Sequence, residues 1–149
     1  MNSLFDQAAR TETEARIARL QADAVRQWGE MEVAQMLAHC AMALEMGTGD
    51  MPSKQRFIGK LLAPFFKNTL LGPAPFKRNS PTNPLLRVQD AHDFSREKAR
   101  LLAVVSRFAT AGAHQAGAQE HSFLGKISGE QWGFLMWKHL DHHLQQFSA

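Results

Sequence analysis

The segment from Ser128 to Phe147 predicts the clearest helix of the chain, and it reads SGEQWGFLMWKHLDHHLQQF. Ser128 and Gln131 have the spacing of a capping box, in which the two side chains satisfy backbone N–H groups at the start of a helix. At about 100° per residue, the large apolar side chains fall in one arc of the helix surface. These residues are Trp132, Met136, Leu140, Leu144 and Phe147. The segment therefore predicts an amphipathic helix with one face in a core.

The histidines of this helix fall into an inward and an outward group. His139 and His143 are four residues apart, so their rings lie one above the other on one helix face. His143 lies within the apolar arc and His139 at its edge, whereas His142 lies outside the arc and Asp141 on the far side. We therefore predict that His139 and His143 form an inward pair and that His142 is a surface or rim residue.

A third histidine, His39, belongs to a helix predicted from about Met31 to Met46 and ended by Gly47. His39 lies at the edge of an apolar arc made by Val33, Met36, Cys40 and Leu44. Three histidines on two helices, with one open coordination position, would make a reactive metal site rather than a structural one. The alternative is that each is a core-edge histidine that only hydrogen-bonds a carbonyl group or water.

The remaining helix signals predict two further main helices. Thr11 and Glu14 have capping-box spacing and predict a first helix from near Thr11 through Leu20. A third helix is predicted from about residue 95 to 111, ended by Gly112 and followed by a loop over 113–118. A break is predicted at residues 27–30, between the first two helices.

All six prolines lie between residues 47 and 91, so a continuous helix is not expected there. We predict a short helix over 56–66, broken near Pro64, that covers one end of the core; a lid and a dimer contact are alternatives. Residues 72–84 are predicted to be an ordered loop. No alternating strand pattern is visible. The sequence therefore predicts an all-α, single domain over 1–149: a four-helix bundle with a Pro-rich, partly helical connection between helices 2 and 3.

Composition narrows the class of protein. A length of 149 residues with 44% hydrophobic residues suits one domain, and the lone cysteine excludes an intrachain disulfide and a Cys-rich zinc module. No secretory signal and no stretch of about 20 apolar residues is visible, so we expect a cytoplasmic protein without a membrane partner. Cys40 diverges by about 100° from the adjacent His39, so we expect it to fill the core rather than to form a Cys–His nucleophile.

Seven basic residues and no acidic residue lie between Pro52 and Gln89; they are Lys54, Arg56, Lys60, Lys67, Lys77, Arg78 and Arg87. A solvated basic face is the simplest interpretation, and an anionic ligand, a membrane surface or a nucleic acid are alternatives. No nucleic-acid motif accompanies these residues, so we do not expect a nucleic-acid partner.

Three stretches together resemble the DinB-like (YfiT-like) superfamily of four-helix-bundle metalloenzymes, and specifically a bacterial branch of uncharacterised function. They are residues 28–31 (WGEM), 35–40 (QMLAHC) and 121–147, which ends in KHLDHHLQQF. The resemblance implies a divalent metal ion on one histidine of the second helix and on an H-x-x-x-H pair of a later helix. Imidazole ligands suit zinc, nickel, copper or iron, of which we expect zinc or nickel. In this chain these residues are His39, His139 and His143.

The resemblance also implies an activity. Some members of the superfamily are metal-dependent transferases and isomerases that use a low-molecular-weight thiol, and hydrolysis by an activated water is a related possibility. Arg78 or Arg87 could then hold the anionic end of the thiol, and His121 could line the pocket mouth or make a loop hydrogen bond. A small-molecule substrate and a homodimer fit this interpretation. The alternative is a non-catalytic, metal-stabilised or stress-related binding bundle.

Overall fold

The computed structural model describes residues 2–149, so Met1 of the predicted domain lies outside it. The described residues are mainly helical, which agrees with the predicted all-α class. Five α-helices follow one another along the chain: α1 (Gln7–Arg19), α2 (Val33–Thr48), α3 (Phe57–Leu71), α4 (Phe94–Gly117) and α5 (Gly129–Gln146). A 3-10 turn (Pro84–Leu86) precedes α4, and strands β1 (Glu120–His121) and β2 (Gly125–Lys126) pair antiparallel before α5. Strands of two residues are too short to show an alternating pattern in a sequence.

The core lies between four of these helices. α2 packs extensively against α4, and α1 and α5 contact both α4 and each other. Trp132 of α5 and Phe108 of α4 are the largest side chains that are completely buried in this core. α3 lies outside the group and packs against α5. This packing brings α2 and α5 side by side, which positions the histidines described below.

The predicted start of α1 near Thr11 was wrong, because the helix begins earlier. The Asp6 carboxylate accepts a hydrogen bond from the backbone N–H of Ala8, at 3.2 Å, and caps the helix. The earlier start adds a turn that carries Ala9 into the core, directly after the buried Leu4. Thr13 is buried inside the helix, and its hydroxyl donates to the carbonyl oxygen of Ala9 at 2.8 Å. Tertiary burial therefore favoured Asp6 over Thr11 as the cap.

Helix α2 ends at Gly49 rather than at the predicted Gly47. Gly49 has a φ of +87°, the left-handed conformation that glycine adopts at helix ends. Gly47 is helical and buried, and a Cβ atom there would lie 2.6 Å from Cε2 of Phe108. Gly47 therefore serves close packing between α2 and α4, and Gly49 ends the helix.

Two expected breaks lie inside helices. α3 continues through Pro64, so the predicted break there was wrong; Pro64 is exposed, and water can reach the carbonyl group that lacks its helical donor. Gly112 does interrupt α4, with a φ of +77°, but a further helical turn replaces the predicted loop over 113–118. That turn buries Ala116 and packs Gly117 closely against Gly129 at the start of α5.

The predicted capping box at the start of α5 is confirmed. The backbone N–H of Gln131 donates to the Ser128 hydroxyl at 3.2 Å, and the backbone N–H of Ser128 donates to Oε1 of Gln131 at 2.9 Å. Among residues 2–149, no helix combines the length and the apolar character needed to cross a bilayer.

Replacing Ser128 by Ala should lower the free energy of unfolding by about 1 kcal/mol, because the N–H of Gln131 loses its acceptor. Urea denaturation of the variant measures this loss. Ser106→Ala is the matched control: Ser106 is exposed within α4, where alanine is the better helix former, so stability should stay equal or rise slightly. An equal loss in both variants would contradict a specific capping role for Ser128.

Candidate metal centre

The rings of His39, His139 and His143 converge between α2 and α5. Their centroids lie 4.9 Å (His39–His139), 4.7 Å (His39–His143) and 4.7 Å (His139–His143) apart. One nitrogen from each ring lies within 4.8 Å of the corresponding nitrogens of the other two. His39 and His143 are buried and His139 is half-buried. The predicted convergence of these three side chains, which are distant in sequence, is confirmed, and they are close enough to bind one metal ion.

The Pro-rich connection between α3 and α4 fixes the ring of His39. Nδ1 of His39 lies 2.8 Å from the carbonyl oxygen of Leu86, in the 3-10 turn Pro84–Leu86. A carbonyl oxygen can only accept, so the proton of the neutral ring is on Nδ1. The lone pair is therefore on Nε2, the nitrogen that faces His139. Asn83 caps this turn, and its side-chain amide donates to the hydroxyl of Ser122 at 2.6 Å.

A glutamine one turn further along α5 fixes the ring of His143. Nδ1 of His143 lies 2.9 Å from Oε1 of Gln146, and Nε2 of Gln146 donates to the carbonyl oxygen of Trp28 at 2.7 Å. The second contact sets the orientation of the amide, because its NH₂ group must face a carbonyl group. Nδ1 of His143 is therefore the donor to Gln146, and its Nε2 carries the lone pair. Such support of the non-coordinating nitrogen is typical of metal-ligating histidines.

The donor set fits a divalent ion. Nε2 of His39 lies 2.9 Å from Nε2 of His139. In a tetrahedral zinc site with Zn–N distances of 2.0–2.1 Å, nitrogen ligands lie about 3.3 Å apart. The observed spacing, from 2.9 Å to at most 4.8 Å, brackets this value. Small rotations of the three imidazole rings would therefore bring their nitrogens to the spacing of a tetrahedral zinc site.

The surroundings keep all three rings neutral near pH 7. Burial lowers the pKa of His39, and it lowers that of His143 to about 3, with a further contribution from the neighbouring His39. Burial, followed by proximity to His143 and His39, holds the pKa of His139 well below its usual range. A neutral imidazole is the form that binds metal, so no proton has to be removed from an imidazolium.

A cavity of about 430 Å³ borders the cluster at His143. Its wall includes Trp28, His142, Arg87 and polar residues of the segments 79–82 and 87–89. The guanidinium group of Arg78 stacks over the ring of Trp28, 4.3 Å from its centroid. All seven basic residues between Pro52 and Gln89 are exposed. Of these, Arg87 lines the cavity, and Arg78 packs on Trp28, which also lines it. The cavity is large enough for a small molecule.

His142 is a rim residue, as predicted, whereas Asp141 was predicted on the far side of the helix and instead lies partly buried against α1. His142 is half-buried on the cavity wall, with its ring 5.1 Å from that of His143 and 5.4 Å from that of Trp28. Asp141 forms an ion pair with Arg16 of α1 at 2.7 Å. Its carboxylate is therefore committed to a contact between α1 and α5 and is not available as a general base.

His121 makes the loop hydrogen bonds that were one of its two predicted roles. Its Nδ1 accepts from the backbone N–H groups of Phe123 and Leu124, at 3.1 and 3.0 Å, and its ring contacts Trp132. Burial lowers the pKa of His121 to about 4. It is not part of the cavity wall, so it closes the β1–β2 hairpin.

Cys40 fills the core, as predicted. Its side chain is completely buried, and its thiol contacts Sδ of Met36 at 3.7 Å. Burial raises the pKa of the Cys40 thiol, so the reactive thiolate is disfavoured. These properties do not suit a nucleophile.

Two groups that support the site were not predicted from the sequence: the Leu86 carbonyl and the Gln146 side chain. Gln146 follows His143 by three residues, a spacing that places side chains next to each other on a helix, so this signal was present. The Leu86 carbonyl gave no signal, because every residue has a carbonyl group and only the chain path brings this one to His39.

Replacing Gln146 by Met should weaken zinc binding by about 10–100-fold, because His143 loses the acceptor that orients its ring. Competition with a chromogenic chelator measures the affinity. Gln145→Met is the matched control, since Gln145 is exposed and contacts Asp141 rather than a histidine. Equal affinity in the Gln146 and Gln145 variants would show that this support is unimportant.

The metal-free protein should lose stability as the pH falls below about 6.5. The unfolded state then protonates its histidines, whereas native His143, with a pKa of about 3, stays neutral. Each such group lowers the free energy of unfolding by up to about 1.4 kcal/mol per pH unit between these two pKa values. Urea denaturation of chelator-treated protein from pH 7.5 to 5 measures the slope.

The variant His143→Gln should reduce the slope of unfolding free energy against pH by the contribution of one histidine, up to about 1.4 kcal/mol per pH unit. His114→Gln, at an exposed position on α4, is the control and should leave the slope nearly unchanged. A slope that is identical in the wild type and the His143 variant would contradict a buried neutral imidazole at this position.

Comparison with known proteins identifies the family of the chain. No curated protein and no solved structure matches the chain. A family model described as a protein of unknown function (DUF1569) matches residues 4–149, so all three histidines and the groups that orient them lie within the matched region. The chain therefore belongs to the DUF1569 family, whose function is unknown.

Proposed function

We propose that this chain is a single-domain, DinB/YfiT-like four-helix bundle of bacterial type that binds a divalent metal ion, zinc or nickel, through His39, His139 and His143. One observation carries the proposal. Three neutral imidazoles from α2 and α5 converge, and two of them have their Nδ1 protons held by Leu86 and Gln146. The proposed four-helix bundle is supported by the packing of α1, α2, α4 and α5 around one core.

We further propose that the protein is a metal-dependent enzyme of the transferase, isomerase or hydrolase kind. When bound by three neutral ligands, the ion keeps its full charge and supplies activation of a thiol or a water molecule. The chain contributes orientation: Leu86 holds His39, and Gln146 holds His143 while Trp28 holds Gln146. The cavity beside His143 supports a small-molecule substrate rather than a nucleic acid, which would need an extended basic groove.

The two arginines beside the cavity support a role in binding an anionic group, such as that of a low-molecular-weight thiol. Arg87 lines the cavity, and Arg78 stacks on Trp28. A guanidinium group presents several N–H donors that suit a carboxylate or phosphate. The lone thiol, Cys40, is buried and unpaired, which fits a reducing, cytoplasmic setting.

A non-catalytic, metal-stabilised or stress-related binding bundle is the second candidate. One observation favours it: the candidate ligands already join α2 to α5, and their hydrogen bonds reach the 3-10 turn and the segment around Trp28. A metal ion at this point would stabilise four parts of the fold at once.

Metal titration of the purified protein tests the binding step. The wild type should bind one zinc or nickel ion per chain, and its thermal midpoint should rise with metal. His139→Ala should abolish both effects. His142→Ala is the matched control and should retain them, because His142 is next in sequence to His143 but outside the cluster. A wild type that binds no ion would overturn the metal-dependent enzyme and the metal-stabilised bundle, and would leave only the stress-related binding bundle.

Activity assays then separate the enzyme from the non-catalytic bundle. A screen of electrophiles with small thiols should reveal turnover in the metal-loaded wild type. The activity should disappear in His39→Ala and persist in Cys40→Ala. Tight metal binding and thermal stabilisation without turnover of any thiol or water-dependent substrate would instead support the non-catalytic bundle.

A further inference from the structure

Helix α3 presents large apolar side chains to solvent. Phe57, Ile58, Leu61 and Phe65 are 81%, 52%, 58% and 78% exposed, and Phe66 is 48% exposed. Among the described residues, only two other large hydrophobic side chains are exposed, Val25 and Leu85, and neither belongs to α3. The exposure is therefore concentrated on one helix, which is the signature of an interaction surface.

The exposed side chains share one face of the helix, which we call the α3 face (Phe57, Ile58, Leu61 and Phe65). The opposite face carries Gly59 and Ala63, which are buried against the rest of the protein. A Cβ atom at Gly59 would lie 3.0 Å from the Cα atom of Phe123, so only glycine permits this close approach. At about 100° per residue, the α3 face lies about 160–260° from Gly59 and points outward.

The end of α3 is fixed as well. The ammonium group of Lys138 donates to the carbonyl oxygens of Thr69, Leu70 and Gly72, at 2.8, 3.3 and 2.7 Å. It also lies 4.4 Å from the ring centroid of Phe76. Because one α5 side chain caps three carbonyl groups, α3 is held in place before any partner binds. A pre-ordered face loses little conformational entropy on association.

We propose that the α3 face is a contact surface for a second copy of this chain. Taking about 200 Å² for the surface of each whole side chain, the four residues expose on the order of 500 Å² of apolar area. A stable protein interface buries about 800 Å² on each partner. The apolar face supplies most of this area, and the neighbouring exposed Pro64 and the stem of Lys60 lie where they can supply the remainder.

The charges of α3 are compatible with this arrangement. Lys60 and Lys67 lie on one flank of the α3 face, about 100° and 80° from Gly59 on the wheel. A two-fold axis parallel to α3 puts the lysine flanks of the two copies on opposite edges of the contact. Exposed charges at such distances are screened by salt, whereas apolar burial is not. Salt should therefore not weaken the dimer.

Sedimentation velocity of the wild type over a concentration series tests the proposal. The wild type should reach about twice the 16.7 kDa mass of the chain, with or without metal, since the α3 face is distinct from the histidine cluster. The double variant Leu61→Ser/Phe65→Ser should weaken association by at least about 100-fold. Val25→Ser is the matched control and should associate like the wild type, because Val25 is 73% exposed but lies between α1 and α2.

A cross-linking variant covers the case in which the double variant fails to fold. The proposed two-fold axis brings Leu61 of each copy to the same level, so Leu61→Cys should form a disulfide-linked dimer under mild oxidation. Val25→Cys should not, and the native Cys40 is buried and gives no background.

Three results would overturn the proposal. They are a wild type that stays monomeric, a dimer that the double variant leaves intact, and equal cross-linking of the Leu61 and Val25 variants. A monomer that instead sediments with anionic lipid vesicles, and is released by salt, would assign the face to a membrane surface.

Discussion

Burial of uncharged imidazole rings is the constraint on which the centre of this structure depends. A buried ring that keeps its proton on one nitrogen needs an acceptor there, or the cost of desolvation is not offset. The Leu86 carbonyl meets this need for His39, and the Gln146 amide meets it for His143. Each solution leaves the other nitrogen with its lone pair toward the cluster. The hydrogen bonds that stabilise the fold therefore also leave two ring nitrogens free at a point where three histidines are close enough to bind a metal ion.

This requirement gives the Pro-rich connection a structural role. Its 3-10 turn is stabilised by the hydrogen bond from Asn83 to Ser122 and by the burial of Leu86. The turn places the carbonyl oxygen of Leu86 next to His39 of α2. The same stretch of chain lines the cavity beside His143. A regular helix would use its carbonyl groups internally, whereas an irregular, proline-rich path leaves them free for a side chain. The irregular, proline-rich connection therefore supplies both the acceptor for His39 and part of the cavity wall.

The ionic contacts show a different division of tasks. Asp141 pairs with Arg16, and Arg100 joins Glu45 of α2 to Glu97 of α4, so these charges connect helices. Arg87 and Arg78 instead lie beside the cavity, where Arg87 forms part of the wall and Arg78 packs on an aromatic ring. Charges that link helices and charges that face the cavity are separate sets. Arg87 and Arg78 could therefore contact a bound molecule without loss of a structural ion pair.

The sequence by itself determined the helical class, the capping of α5 and the selection of His139 and His143 as the inward pair. These features depend on short-range geometry, in which residues three or four apart share a helix face. Only the tertiary structure decided which of two caps starts α1, that Gly47 packs while Gly49 ends α2, and that α3 continues through Pro64. It also decided the partner of His39, because the Leu86 carbonyl is 47 residues away in sequence and indistinguishable there from any other. The physical reason is that burial and chain path choose among local alternatives that are nearly equal in energy.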